Sequence, residues 1–311
     1  PGNPMRMLLS RWCCIAVLLV GPIQAPAASA SPECKATVTG DLRVHTLRSA
    51  IFGNERKIRV LLPDGYADAA NTDRRYPVLY LLDGQNVFDA CLSDVSHHEW
   101  GADEAVNRLV ADKTIPPMIV VGVDHAGMQR AHEYLPYKDF VGNPDMEEPA
   151  GKQFPDFMAR EVLPLVDGQY RTLQGPANTG IGGSSYGGVA SLYAMLAKPN
   201  VFGFGLVESP VLWIGMGQLV RDTSPLVTMP RRVFIGLGGQ ESSDAAVNRK
   251  MLGLVRQVEA NFHAAGYDAS NLRVVVDADA QHTEAAWEQR LPSALAFLYG
   301  SPETSPGEDR P

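Results

Sequence analysis

The 311-residue sequence has no Pro- and Ser-rich linker, no long run of one charge and no internal repeat, so a single domain is its simplest organisation. Basic residues are in deficit. There are 27 Lys and Arg against 35 Asp and Glu, a formal charge of −8. Such a chain is poorly suited to nucleic acid or to anionic membrane surfaces, which removes those two kinds of partner. Cysteine is scarce, at four residues. No histidine–cysteine spacing suits a metal: His97, His98 and Glu99 lack a matching ligand pair elsewhere, so that stretch reads as a loop and no metal is expected. What remains is an ordinary globular composition, 45% hydrophobic and 20% charged.

The N-terminus has its own character. Met5, Arg6 and Arg11 make a basic start, Cys13 to Val20 is an apolar run, and Ala28-Ser29-Ala30 is a small-residue cleavage pattern. This is the signature of a secretory signal peptide, too short for a membrane span in the mature protein. Pro1 to Pro4 read as sequence ahead of the true start, and Cys34 lacks the preceding Leu of a lipoprotein site. The expectation is a leader over 1–30, a folded domain over 31–300 and a disordered tail over 301–311. The protein would be periplasmic or secreted, with no stable membrane insertion after cleavage. Cys34 and Cys91 would then meet an oxidising compartment, as a disulfide or as two free thiols.

Apolar runs set the fold class. Val44–Arg48 and Lys57–Leu62 read as two early strands around Gly53-Asn54. Pro77–Leu82, Met118–Val123, Thr179–Ile181, Phe204–Val207, Val233–Leu237 and Leu272–Val276 are short continuous runs, as buried parallel strands should be. Helical spacing appears over Ala102–Ala111, Phe157–Val166, Tyr186–Ala197, Ala245–Ala264 and Glu284–Leu298. Strand alternating with helix predicts an α/β protein with a mostly parallel central sheet and helices on both faces. Its ligand site should lie at the carboxyl ends of the strands.

The chemistry concentrates in Gly182-Gly183-Ser184-Ser185-Tyr186-Gly187-Gly188. Read as G-x-S-x-G, the segment makes Ser185, not Ser184, the nucleophile of a sharp strand-to-helix elbow, with a strand-like stretch before it and a helical one after. A phosphate-binding turn is the bland alternative, but the phosphate-loop lysine is missing. In this arrangement an acid and then a histidine follow the serine along the chain. His263 and His282 are the histidines available. His263 sits on the amphipathic helix, whereas His282 follows a strand by the short loop Asp277–Gln281 and is the candidate base. Glu241, after the strand ending at Leu237, is the candidate acid; Asp244 is its rival, although an acid there also suits a helix start. A serine–histidine dyad with no essential acid is the remaining option. The oxyanion donors would be the backbone N–H groups of Tyr186 and Gln85.

The segment Leu81-Leu82-Asp83-Gly84-Gln85-Asn86-Val87-Phe88-Asp89 resembles the D-G-Q-N-L-F-D motif of the Putative esterase family, which includes esterase D, enterochelin esterases, feruloyl esterases and mycolyltransferase antigens. Trp100 to Glu104, Val121 to Asp124, Arg130 with Glu133 to Pro136, Gly183 to Gly188, and His282 ahead of Trp287 are similar too, so the resemblance spans about Val44 to Leu298. It implies a single-domain α/β-hydrolase without a large lid, acting on esters with no metal or organic cofactor. A glutamate acid in the mycolyltransferase branch fits Glu241, and the donor after Asp-Gly maps to Gln85.

Specificity should come from two loops. Asp124–Gln153 carries Arg130, and Ser209–Pro230 carries Trp213 as a possible acyl or aryl pocket wall or as plain packing. The expectation is an exported serine ester hydrolase acting on a small-molecule or polysaccharide-linked ester, such as a siderophore, feruloyl or acetyl ester. Acyl transfer to a sugar or lipid alcohol, and a non-catalytic binding role on the same fold, are the alternatives. The oligomeric state is not legible.

Overall fold

A computed structural model describes residues 34–93, 97–142, 147–224 and 230–300. The expected leader and tail lie outside these residues. Cys34 and Cys91 are each disulfide-bonded, so neither is a free thiol. No helix among the described residues is long and apolar enough to cross a membrane.

All eight expected strands form, in one sheet. They are β1 (Asp41–Arg48), β2 (Glu55–Leu62), β3 (Val78–Leu82), β4 (Ile119–Val123), β5 (Thr179–Ser184), β6 (Phe204–Glu208), β7 (Arg232–Gln240) and β8 (Leu272–Gln281). Their spatial order is β1-β2-β4-β3-β5-β6-β7-β8. The β1–β2 and β2–β4 pairs are antiparallel, and every pair from β4 through β8 is parallel. The helices are α1 (Ala102–Ala111), α2 (Arg130–Tyr134), α3 (Phe154–Phe157), α4 (Leu163–Gln169), α5 (Tyr186–Ala197), α6 (Ile214–Asp222), α7 (Ala245–Ala264) and α8 (Glu284–Tyr299).

The continuous apolar runs have a direct reading here. Along β3, Val78, Tyr80 and Leu82 belong to one core and Leu79 and Leu81 to the other. A strand with helices on both faces has no solvent side, so alternation gives way to an unbroken hydrophobic run. Phe154, Val189, Val255 and Phe262 fill the first core; Val106, Trp287, Leu291 and Leu295 fill the second.

Three segments depart from expectation. The helix expected over Phe157–Val166 is α3 and α4 joined by a wider π turn, Met158–Val162. Pro164 lacks the N–H that an α-helical bond to Arg160 would need, and the chain widens there instead of breaking. The Ser209–Pro230 loop contains α6, kinked at Gly215, Met216 and Gly217, all at positive φ. Residues 277–281, expected as loop, continue β8, and β7 likewise runs on to Gln240.

Phe234 is fully buried on β7. Phe234→Ala should lower the unfolding free energy by about 3–5 kcal/mol through lost transfer energy and a residual cavity. Urea denaturation followed by tryptophan fluorescence measures it, and a loss below about 1 kcal/mol would contradict the packing described.

Candidate active site

The sheet delivers Ser185 at the end of β5, where the chain must reverse from strand into α5. The residue sits at φ 57°, ψ −122°, a region non-glycine residues avoid, and its N–H is held by the carbonyl of Glu208 at 3.0 Å. Strain of this kind costs on the order of 1–3 kcal/mol and persists only where surrounding structure enforces it. The flanking glycines explain how it is enforced. A Cβ on Gly183 would come within 2.9 Å of the Gly187 backbone, so the elbow closes only with glycine.

The second arm comes from the extended strands. β7 and β8 pair in register from Val233–Leu272 to Gly238–Asp277, slip, and pair again at Gln240–Gln281. Glu241 and His282 each follow that last pair by one residue and meet there. His282 Nδ1 and Glu241 Oε2 are 2.5 Å apart. Glu241 Oε1 accepts a hydrogen bond from Ser209 Oγ at 2.6 Å and from Gly238 N–H at 2.5 Å. The carboxylate side chain is wholly buried. Burial alone would raise its pKa, but bonds from His282 and Ser209 outweigh this and hold it below the ordinary glutamate value. With Nδ1 committed to Glu241, Nε2 is the histidine nitrogen left for chemistry.

Sequence reasoning missed two supports of this pair. Ser209, itself at φ 44°, accepts the indole N–H of Trp287 at 3.0 Å while donating to Glu241. The Trp287 ring also meets the His282 imidazole edge to face, with centroids 5.2 Å apart and planes at 86°. Polar side chains beside a strand end were the only available signal, and many such residues have no such role. Asp244, the rival acid, caps α7 by accepting from Ala246 N–H at 2.7 Å.

Ser185 and His282 line one cavity of about 260 Å³, with Asp83, Asn86, His125, Arg130, Ser184, Glu284 and Trp287. All of its lining residues except Trp287 are polar or charged, but their apolar atoms form most of the exposed wall. Gly84 brings the opposite wall in: a Cβ there would lie 2.5 Å from the Gly122 backbone, so the turn carrying Gln85 packs directly on β4. The Gln85 side chain accepts from His125 N–H at 3.4 Å. Tyr186 opens α5, where a backbone N–H has no intrahelical acceptor. Its hydroxyl donates to Asp139 at 2.7 Å.

Arg130 lines the cavity but is already committed. It grips Asp83 through two bonds of 2.7 Å and lies over the rings of Tyr134 and Tyr186. Burial opposes its charge, yet the Asp83 carboxylate holds its pKa above the ordinary arginine value. It therefore braces the turn after β3. Trp213 is placed elsewhere. It packs partly buried against the core, with Lys250 Nζ 5.6 Å from its ring centroid, and is not among the residues lining the cavity.

A second carboxylate lies beneath. Glu208, at the end of β6, takes two bonds from Arg290, at 2.9 and 2.7 Å, on a single oxygen. Its other oxygen is buried without a donor. Burial pushes its carboxyl up to about 7 against the pull of Arg290, and nearby Glu241 adds to the rise.

The family described as Putative esterase matches residues 49–298. The protein YbbA of Bacillus subtilis (strain 168) is 22% identical over 256 residues, 79% of this chain and 93% of its own length. An endo-1,4-beta-xylanase/feruloyl esterase of Xylanibacter ruminicola is 24% identical over 273 residues, 84% of this chain but 31% of that larger protein. Among solved structures, an IroE-like serine hydrolase from Shewanella oneidensis superposes with a TM-score of 0.68 at 20% identity, over 83% of this chain and 80% of that one, a likeness of fold.

The lowered pKa of Glu241 makes a linkage prediction. A carboxyl that ionises more readily when folded adds stability above its unfolded pKa and loses it as pH falls through the lower folded value. The stability gap between wild type and Glu241→Gln should therefore narrow steadily on acidification through and below the ordinary glutamate range. Thermal melts across pH would show it, and a gap independent of pH would mean the carboxylate is not held as described.

Proposed function

The chain belongs to the Putative esterase family of α/β-hydrolases and is a carboxylic ester hydrolase, and from that premise we propose that it is an exported serine esterase working through an acyl-enzyme on Ser185. The observation that carries this reading is the His282–Glu241 pair at 2.5 Å, placed by strand register beside the cavity that the elbow serine also lines. In the proposed reaction Ser185 Oγ attacks the ester carbonyl while His282 Nε2 takes its proton. Glu241 fixes the tautomer and stabilises the imidazolium. The negative charge that develops on the carbonyl oxygen is received by the N–H groups of Gln85 and Tyr186. His282 then passes the proton to the departing alkoxide, which leaves as the alcohol. Water, deprotonated by His282, attacks the acyl-enzyme, and the proton returns to Ser185 as the acid is released.

The small volume of the cavity favours a compact ester over a long alkyl chain. The feruloyl esterase named among the relatives and the siderophore esterases of the family resemblance lie in that class. Export rests on the leader sequence and accords with the disulfide-bonded cysteines.

Purified protein should hydrolyse p-nitrophenyl acetate and butyrate well and the palmitate poorly. Ser185→Ala should lower kcat by at least about 10³-fold with an unchanged melting temperature, and a fluorophosphonate should label wild type but not the variant. Near-normal turnover in Ser185→Ala would remove the assignment.

A further inference from the structure

Away from the cavity, three carboxylates converge with nothing between them. Glu99, Asp103 and Glu104 each offer an oxygen, and these oxygens lie within 4.8 Å of one another. Asp103 is wholly buried. Its Oδ2 accepts from Thr39 N–H at 2.6 Å and Thr39 Oγ1 at 3.0 Å. Its Oδ1 is cut off from solvent and accepts no hydrogen bond. Glu99 repeats the pattern: one oxygen takes the Thr37 hydroxyl, and Oε2 is buried with no partner. None of the three carboxylates is within ion-pair distance of a Lys, Arg or His among the described residues.

The start of α1 accounts for part of this. Asp103 and Glu104 occupy its first turn, where the helix dipole favours acids. The dipole supplies no donor to Asp103 Oδ1, and Glu99 comes from outside the helix. A buried carboxylate oxygen without a donor costs on the order of 1–3 kcal/mol or more, and neighbouring like charges add to it. Two such oxygens facing a third carboxylate call for either a bound cation or a proton shared between carboxyls.

We propose that Glu99, Asp103 and Glu104 bind a divalent cation, and that the cation is calcium. The ligands are all hard oxygens, which excludes the softer transition metals as first choice. The three oxygens lie within 4.8 Å of one another, close enough to share one cation, and calcium accepts the irregular geometry of such a set where magnesium demands a near-ideal octahedron. Water and backbone oxygens complete the shell on the exposed Glu104 side.

The site has a structural consequence. It fastens residues 37–39 to the start of α1 beside Trp100, whose ring lies 5.8 Å from that of Trp287. Trp287 in turn supports Ser209 and His282. The ion would stiffen the outer wall of the ester site without touching substrate. The proposal stands or falls independently of the reaction at Ser185.

The test uses the full mature protein after EDTA treatment and dialysis. Calorimetric titration with calcium chloride should show one equivalent bound. Saturating calcium should raise the melting temperature by about 5 °C. Terbium should luminesce when excited through tryptophan, because Trp100 adjoins Glu99, and calcium should displace it. Asp103→Asn should abolish all three responses. Glu104→Gln, at an exposed position, should weaken binding by at least about tenfold while the protein still folds, and it decides the matter if Asp103→Asn does not fold. Absence of binding and of any melting shift in wild type would overturn the proposal. So would equal responses in wild type and Glu104→Gln. A higher melting temperature for metal-free Asp103→Asn, with wild type unmoved by calcium, would show a shared proton in the ion's place.

Discussion

The buried carboxylate of Glu241 is the constraint around which the catalytic end of the sheet is fitted. A carboxylate with no solvent contact survives only if its oxygens are filled. Here they are filled from three directions: Ser209 from the end of β6, Gly238 from β7 and His282 from the end of β8. Those donors belong to neighbouring strands, so the sheet cannot change register without stranding the charge. The same bonds that make the carboxylate tolerable orient the imidazole. Trp287 closes the arrangement from α8, holding Ser209 with its indole N–H and the histidine ring with its edge.

This explains which parts of the site the sequence revealed. Ser185 was legible because an elbow needs glycine on both sides for steric reasons, and that leaves a local spacing. His282 was legible by elimination, since His263 lies within a helix. Glu241 was legible only as one of two acids after β7. What separates it from Asp244 is the slipped pairing that resumes at Gln240–Gln281, a non-local feature that no local pattern encodes. Ser209 had no signal of its own and Trp287 entered only through the family resemblance, because their roles depend on a contact between residues about eighty positions apart. The strands were legible for the opposite reason. Burial on both faces writes itself into every residue of a parallel strand, and all eight were found. The errors fell where periodicity fails: a strand extended by polar residues at 277–281, and a helix widened at Pro164.

Trp213 and Arg130 show the limits of reading function from residue type. Both belong to loops over the strand ends, and both have the chemistry of ligand contacts. Arg130 spends its guanidinium on Asp83, and it does so as one of three pairs that pin the segment after β4. Arg59 grips Asp124 at 2.7 and 2.8 Å, and Arg56 meets the buried Glu133 at 2.6 Å. Held at three points by arginine ion pairs, the segment from Asp124 to Glu133 forms a fixed wall of the cavity. Preformed walls lower the ordering cost of binding.

Two buried acids near the elbow are treated differently, and the difference has a reason. Glu241 is saturated with donors and kept ionised. Glu208, which carries the backbone bond that holds Ser185 N–H, meets one guanidinium on a single oxygen and is pushed toward neutrality. Arg290 keeps the buried group positioned, and removing this partner would strand it at a cost of about 3–5 kcal/mol. The Glu208–Arg290 pair therefore supports the elbow from beneath, while Glu241 holds the imidazole of His282.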